Sequence, residues 1–148
     1  MGKGKRRIAD RKIDVLAGIR LFGACNREEL SEIARLFDEV ERPAGSVLVR
    51  EGDPGEEFYV IVDGTATATV GEQDVATLGP GDFFGEMSIL ERAERAATIT
   101  AATGVELLVM GHRAFSTLVD ASPSVGMRMM RTMAERLRGV EAAPAVSR

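Results

Sequence analysis

The sequence predicts a mainly β fold, a β-sandwich or an antiparallel jelly roll, with helices flanking it at both ends. Residues 41–82 contain closely spaced turn signals rich in Gly, Pro and Asp, such as Gly52-Asp53-Pro54-Gly55 and Gly79-Pro80-Gly81-Asp82. Short runs of β-favouring residues lie between these turns, which is typical of all-β domains with many short strands. Before and after this region, apolar residues recur at helical spacing.

The first 40 residues are predicted to form a basic segment and a helical lead-in. Apolar residues at near-helical spacing predict an amphipathic helix over residues 8–21, and they are Ile8, Ile13, Val15, Leu16 and Ile19. A second helix is expected to begin after Asn26, because Glu29 follows it at the spacing of a capping box. The apolar face of that helix is predicted to contain Leu30, Ile33, Ala34 and Phe37.

Residues 41–111 are predicted to form the β region. The expected strands are 47–50, 58–62, 65–70, 74–78, 97–102 and 105–110. Between Thr65 and Thr69 the chain alternates Thr and Ala, the two-residue period of a half-buried strand. Regular strands separated by tight turns favour an antiparallel β architecture.

Residues 112–148 are predicted to form the closing helices and a tail. Ser122 and Pro123 suit the N-cap and the first position of the last helix. The face expected to pack against the rest of the domain is rich in methionine, and it consists of Met127, Met130, Met133, Ala134 and Leu137. All three parts together are long enough for one domain with its own core.

Composition restricts the class of protein. No apolar run reaches the ~20 residues that span a bilayer, and a basic start without an apolar segment does not resemble a signal peptide. Cys25 is the only cysteine, so an internal disulfide is impossible and a cytoplasmic location is expected. The first twelve residues hold six of the 19 basic and one of the 23 acidic residues, leaving a formal net charge of −9 that does not suit direct DNA binding.

A stretch from Phe84 to Thr98 combines groups suited to a sugar phosphate. Gly85 permits close backbone approach, and the helix-compatible segment after it offers free amides to an anion. Arg95 supplies a planar, permanently charged fork for the same anion. Glu86 repels phosphate, but its carboxylate can accept a hydrogen bond from a neighbouring hydroxyl. Alternatively, Glu86 and Arg95 bind no ligand and only form an ion pair with each other on a loop.

This stretch closely resembles the phosphate-binding cassette of the cyclic-nucleotide-binding domain family. Both ends of the family pattern are present, Phe84-Gly85-Glu86 and Arg95-Ala96-Ala97-Thr98, at the family's distance. The chain is similar to domains of catabolite activators, kinase regulatory subunits and channels, and it looks like a stand-alone bacterial member. The resemblance implies a jelly roll (double-stranded β-helix) in which the nucleotide lies between the cassette, residues 84–98, and a last helix that closes over it.

The resemblance also assigns roles to residues. Arg95 would pair with the cyclic phosphate, assisted by the backbone amides of Met87 and Ser88, and Gly85 and Glu86 would bind the ribose 2′-hydroxyl. Ala96 stands where relatives selective for cyclic GMP often have Thr, which favours cyclic AMP or weak discrimination between the two, and Ala97 is the next residue of the motif. The lid candidates are Arg136, Leu137 and Val140, although Arg136 suits a solvated helix position equally well. No metal or other cofactor is implied.

The expected function is a cyclic-nucleotide sensor without enzymatic activity, acting through an unknown effector protein, by forming a homodimer or by buffering the ligand. A metal-dependent enzyme on a similar barrel needs several His ligands, and His112 is the only histidine. A DNA-binding regulator needs a further helix-turn-helix, and about ten residues follow Arg138. The remaining alternative is a ligand-free interaction module with a vestigial cassette.

Overall fold

The computed structural model describes residues 11–85 and 94–142, with backbone only at position 20, at 132–133 and over 136–142. Within these residues, eight strands form two four-stranded antiparallel sheets. The strands are β1 (Asp38–Arg42), β2 (Val47–Val49), β3 (Glu57–Asp63), β4 (Ala66–Val70), β5 (Gln73–Leu78), β6 (Phe83–Phe84), β7 (Thr98–Ala101) and β8 (Val105–Gly111). Sheet A has the order β1-β8-β3-β6 and sheet B the order β2-β7-β4-β5.

Helices lie on either side of the strands in the sequence. Residues 11–17 are helical (α1), a 3₁₀ turn covers Arg20–Phe22, and α2 covers Arg27–Ala34. After the strands come α3 (His112–Ala121) and α4 (Pro123–Ala142). The predicted capping box is present: the Glu29 amide donates to the Asn26 side chain at 2.8 Å, and the Asn26 amide donates to the Glu29 carboxylate at 2.9 Å. The predicted mainly antiparallel β fold with flanking helices is confirmed.

The two central strands of sheet A, β3 and β8, are buried on both faces, which explains their apolar runs over residues 58–62 and 107–110. Along β3, Phe58 and Val60 pack into a cluster with the helices, whereas Tyr59 and Ile61 pack toward sheet B. These alternate orientations follow from the two-residue period of a strand. We call the first group the helix-side cluster and the second the inter-sheet cluster.

Two strands, β1 and β6, were not predicted from the sequence. The first, β1, has Val40 as its only apolar residue and lies at an edge of sheet A. Its outward residues are solvated, so it lacks an apolar pattern. Because of β1, the β region begins at Asp38 and not at residue 41 as predicted. The second, β6, contains only Phe83 and Phe84, and two residues cannot display a period.

Two predictions about the N-terminal helices need correction. Within 8–21 the helix gives way to a turn after residue 17, and the 3₁₀ segment follows; Ile8 lies outside the described residues. Helix α2 ends at Ala34, so Phe37 lies beyond it, although it is buried.

The predicted packing face of α4 is wrong at Met127, Met130 and Ala134, which are exposed, whereas the side chains of Met133 and Leu137 lie outside the description. Met127 and Met130 are 50% and 54% exposed, whereas Val125 and Met129 are buried in the helix-side cluster. Both sets have helical spacing, and spacing alone cannot tell which face meets the core. The junction at Ser122 and Pro123 is as predicted, because the amide of Val125 donates to the Ser122 carbonyl at 3.0 Å.

Candidate functional site

The backbone of Arg95 is fixed by the loop that precedes β3. Its amide donates to the Asp53 carbonyl at 2.8 Å, and its carbonyl accepts from the Gly52 amide at 2.9 Å. Next to it, Glu94 and Pro54 form an isolated antiparallel bridge. These contacts hold Arg95 in place immediately before β7.

The Arg95 side chain lies beneath the protein surface. The residue is only 8% exposed. Its Nη1 donates to the Glu57 carbonyl oxygen at 3.1 Å, and its Cζ lies over the Tyr59 ring, 5.8 Å from the ring centroid. A guanidinium does not lose its charge in a protein, so this site holds a buried positive charge.

Gly85 lies directly against this guanidinium. Its φ is +92°, in the region that favours glycine. A Cβ at this position would lie 2.7 Å from Arg95 Nη1 and closer still to the Glu57 carbonyl oxygen. The structure therefore brings Gly85 and Arg95 together, as the sequence predicted, and only glycine fits the space between them.

Tyr59 and Glu57 also contact Arg95, and neither was predicted from the sequence. The Tyr59 ring is stacked on Phe84 with centroids 4.7 Å apart, and its hydroxyl donates to Glu57 Oε1 at 2.9 Å. Burial, followed by the bond to Glu57, raises the Tyr59 pKa to about 12. The one available signal was the spacing of Glu57 and Tyr59, since residues two apart in a strand share a face.

The other predicted site residues are only partly described. Ala96 is exposed, whereas Ala97 is 7% exposed and packs in the inter-sheet cluster. The predicted Glu86, Met87 and Ser88 lie outside the described residues. The lid candidates Arg136, Leu137 and Val140 belong to α4, but their side chains are outside the description.

Other parts of the described chain offer little for metal, membrane or thiol chemistry. Among those residues, no group of three or more His, Cys, Asp or Glu side chains is placed to hold a metal. No described helix has the length and apolar character to cross a bilayer. Burial raises the Cys25 pKa, with Glu29 adding to the effect, so this thiol is poorly reactive. A cavity of about 200 Å³ between α1 and strands β1 and β8 shares no lining residue with the Arg95 site.

Comparison with known proteins assigns the family. The model of the cyclic nucleotide-binding domain matches residues 39–122, more than half of the chain. The chain belongs to the cyclic nucleotide-binding domain family. The matched region includes every strand except the first residue of β1, together with Gly85, Arg95 and Tyr59.

Individual relatives come from several kinds of protein. A cyclic nucleotide-gated potassium channel of Mesorhizobium japonicum is 36% identical over 89% of this chain and 36% of its own length. A cAMP-dependent protein kinase regulatory subunit of Hypocrea atroviridis is 38% identical over 70% of this chain and 22% of its own. Among solved structures, the catabolite activator protein of Thermus thermophilus superposes with a TM-score of 0.77 at 31% identity, over 82% of this chain and 60% of that one. The chain therefore spans about a third or less of these two curated relatives.

Proposed function

We propose that this chain is a regulatory domain, not an enzyme, that binds a 3′,5′-cyclic nucleotide and prefers cyclic AMP to cyclic GMP. The observation that carries the proposal is the buried Arg95 guanidinium, held against a Gly85 backbone that admits no side chain. Family membership supports it, because the matched region, residues 39–122, includes both this glycine and this arginine.

In this proposal Arg95 binds the cyclic phosphate together with the backbone amides of Met87 and Ser88. Glu86 and the Gly85 backbone bind the ribose 2′-hydroxyl. A cyclic phosphate carries one negative charge, so one guanidinium and nearby amides can balance it without a metal. The site uses no other cofactor.

The preference for cyclic AMP depends on position 96. Ala96 is exposed beside Arg95, and its methyl group offers no hydrogen bond to a guanine. The Hypocrea relative is named as cAMP-dependent, which agrees with this choice.

Signalling in this proposal involves α4. The helix continues through 136–142, and Arg136, Leu137 and Val140 close over the base when ligand is bound. The energy for closure comes from contacts that exist only in the closed state. The closed domain then acts on an effector protein or on a second copy of the chain, in the cytoplasm. Ligand-dependent protection of these residues in hydrogen exchange tests the lid, and unchanged protection rejects it.

A calorimetric titration with cyclic AMP and cyclic GMP, followed by a thermal shift, tests the binding function. Ligand at 100-fold over Kd adds about 2.7 kcal/mol of stability, which raises the Tm of a domain of this size by roughly 5–10 °C. We expect the larger shift with cyclic AMP at equal concentration. Equal affinities remove the preference, and the absence of binding by both nucleotides removes the function.

The Arg95→Gln variant tests the site within this function. Loss of a charged hydrogen bond to the phosphate costs about 3 kcal/mol, or roughly 100-fold in Kd. Arg113→Gln is the matched control, because Arg113 is an exposed arginine on α3. Equal affinities of Arg95→Gln and the wild type contradict the proposed role of Arg95.

The second candidate function is a ligand-free interaction module. It is favoured by one observation: Arg95 already donates to a protein acceptor, the Glu57 carbonyl, which also suits an arginine with a purely structural role. In that case Arg95→Gln lowers the Tm while neither nucleotide binds the wild type.

A further inference from the structure

We propose that Tyr59 is a positioning residue for Arg95. The Arg95 guanidinium lies over the Tyr59 ring, and this contact keeps it in the orientation that binds an anionic ligand. The part of this inference that concerns ligand affinity rests on the proposed cyclic-nucleotide function. The part that concerns the orientation of Arg95 does not.

The Tyr59 ring is the aromatic surface beneath the buried charge. Arg95 Cζ lies 5.8 Å from the ring centroid, within the range of a cation–π interaction. Such contacts strengthen when the cation is removed from water, and Arg95 is only 8% exposed. The ring therefore stabilises the guanidinium in the place where hydration is lost.

The ring itself cannot easily turn. Tyr59 and Phe84 are register partners across β3 and β6, and their rings are nearly parallel, with an interplanar angle of 10°. At the other end, the Tyr59 hydroxyl is bound to Glu57 Oε1 at 2.9 Å. The Tyr59 ring is thus held on one face by Phe84 and at its hydroxyl by Glu57.

Glu57 ties the two side chains to one residue. Its backbone carbonyl accepts from Arg95 Nη1, and its carboxylate accepts from Tyr59. Both the guanidinium and the ring are therefore oriented by hydrogen bonds to the same residue, the first residue of β3. An arginine held in this way loses less conformational freedom on binding an anion, and such preorganisation raises affinity.

Three variants separate positioning from general packing. Tyr59→Leu removes the ring, and Tyr59→Phe keeps the ring but removes the bond to Glu57. Phe37→Leu is the control, because it deletes a buried ring in the helix-side cluster, on the opposite face of sheet A from Tyr59. Each variant is measured for its Tm and for its Kd for cyclic AMP.

We expect Tyr59→Leu to raise the Kd roughly 3- to 30-fold, the range of a partly to fully desolvated cation–π contact. Tyr59→Phe should keep the Kd within about threefold of the wild type, because the ring remains. Phe37→Leu should lower the Tm and leave the Kd unchanged. A Kd for Tyr59→Leu within about twofold of the wild type overturns the inference, as does an equal rise in Phe37→Leu.

A measurement without ligand keeps the inference testable if the proposed function fails. The Arg95 Nε–H signal in an NMR spectrum is assigned by its loss in Arg95→Gln. We expect this signal to carry a ring-current shift that disappears in Tyr59→Leu and persists in Tyr59→Phe and Phe37→Leu. If the signal does not move in Tyr59→Leu, Tyr59 does not position Arg95. Failure of the wild type to bind either nucleotide rejects only the proposed function.

Discussion

The two hydrophobic clusters on either side of sheet A are built from different side chains. Five of the six phenylalanines lie in the helix-side cluster, where Phe58 contacts Phe37, Phe83 and Phe115. The inter-sheet cluster instead contains four buried alanines, at positions 66, 68, 97 and 101. Within the described inter-sheet cluster, aromatic rings occur only at Tyr59 and Phe84, and both stand next to the Arg95 site.

This difference suggests separate tasks for the two clusters. Large rings fill the irregular space between helices and a sheet, and they anchor α1, α3 and α4. Small side chains let two sheets pack closely. A ring between the sheets therefore needs a local reason, and at Tyr59 that reason is the buried guanidinium above it.

The largest expected effect comes from deleting a ring of the helix-side cluster. Phe58→Ala should lower the free energy of unfolding by about 3–5 kcal/mol, because a fully buried ring is replaced by a cavity. Urea denaturation followed by circular dichroism measures the change. A loss below about 1 kcal/mol is incompatible with an aromatic anchor at this position.

Gly85→Ala tests how closely the backbone packs between the two clusters, at the residue that directly follows β6. Gly81→Ala is a matched control: it has a similar φ of +89°, but nothing lies within 4 Å of its Cβ. The control should cost about 1–2 kcal/mol for backbone strain. Gly85→Ala should cost about 1–3 kcal/mol more, because its Cβ meets Arg95 and the Glu57 carbonyl. Equal losses in urea unfolding show that the close approach has no energetic consequence.

The inter-sheet cluster should be damaged by added volume. Ala68→Val inserts two methyl groups at a fully buried site, and overpacking should cost about 1–3 kcal/mol. Thr67→Val, at the half-buried neighbour, replaces a hydroxyl with a methyl group in a side chain of nearly the same shape and serves as the control. If thermal unfolding shows Ala68→Val to be as stable as the control, the sheets are less closely packed than the structure indicates.

The smallest effect concerns pH. The Tyr59 pKa is raised from 10.0 to about 12, so the native state favours the neutral phenol. The stability that this provides is present below pH 10 and is lost as the pH rises from 10 to about 12. Tyr59→Phe should lack this alkaline loss. Because Tyr59 is the only tyrosine and tryptophan is absent, absorbance of the tyrosinate follows this residue alone. Titration of the native protein at its ordinary pKa contradicts the prediction.

The sequence by itself determined the β architecture, most strand positions, the Asn26 capping box and the pairing of Gly85 with Arg95. Each of these depends on local chemistry: turn residues, strand propensity, a cap and a short motif with fixed spacing. The edge strand β1 and the two-residue strand β6 could not be found in this way, because neither has an apolar period.

Only the tertiary structure decided which face of α4 is buried and which residues surround Arg95. Met127 and Met129 are equally apolar, and the packing of α4 against the helix-side cluster selects Met129. Tyr59 is 36 positions from Arg95 in the chain, and strand register places its ring between Phe84 and the contacts of the guanidinium. Register depends on pairing between distant segments, and no local pattern in the sequence records it.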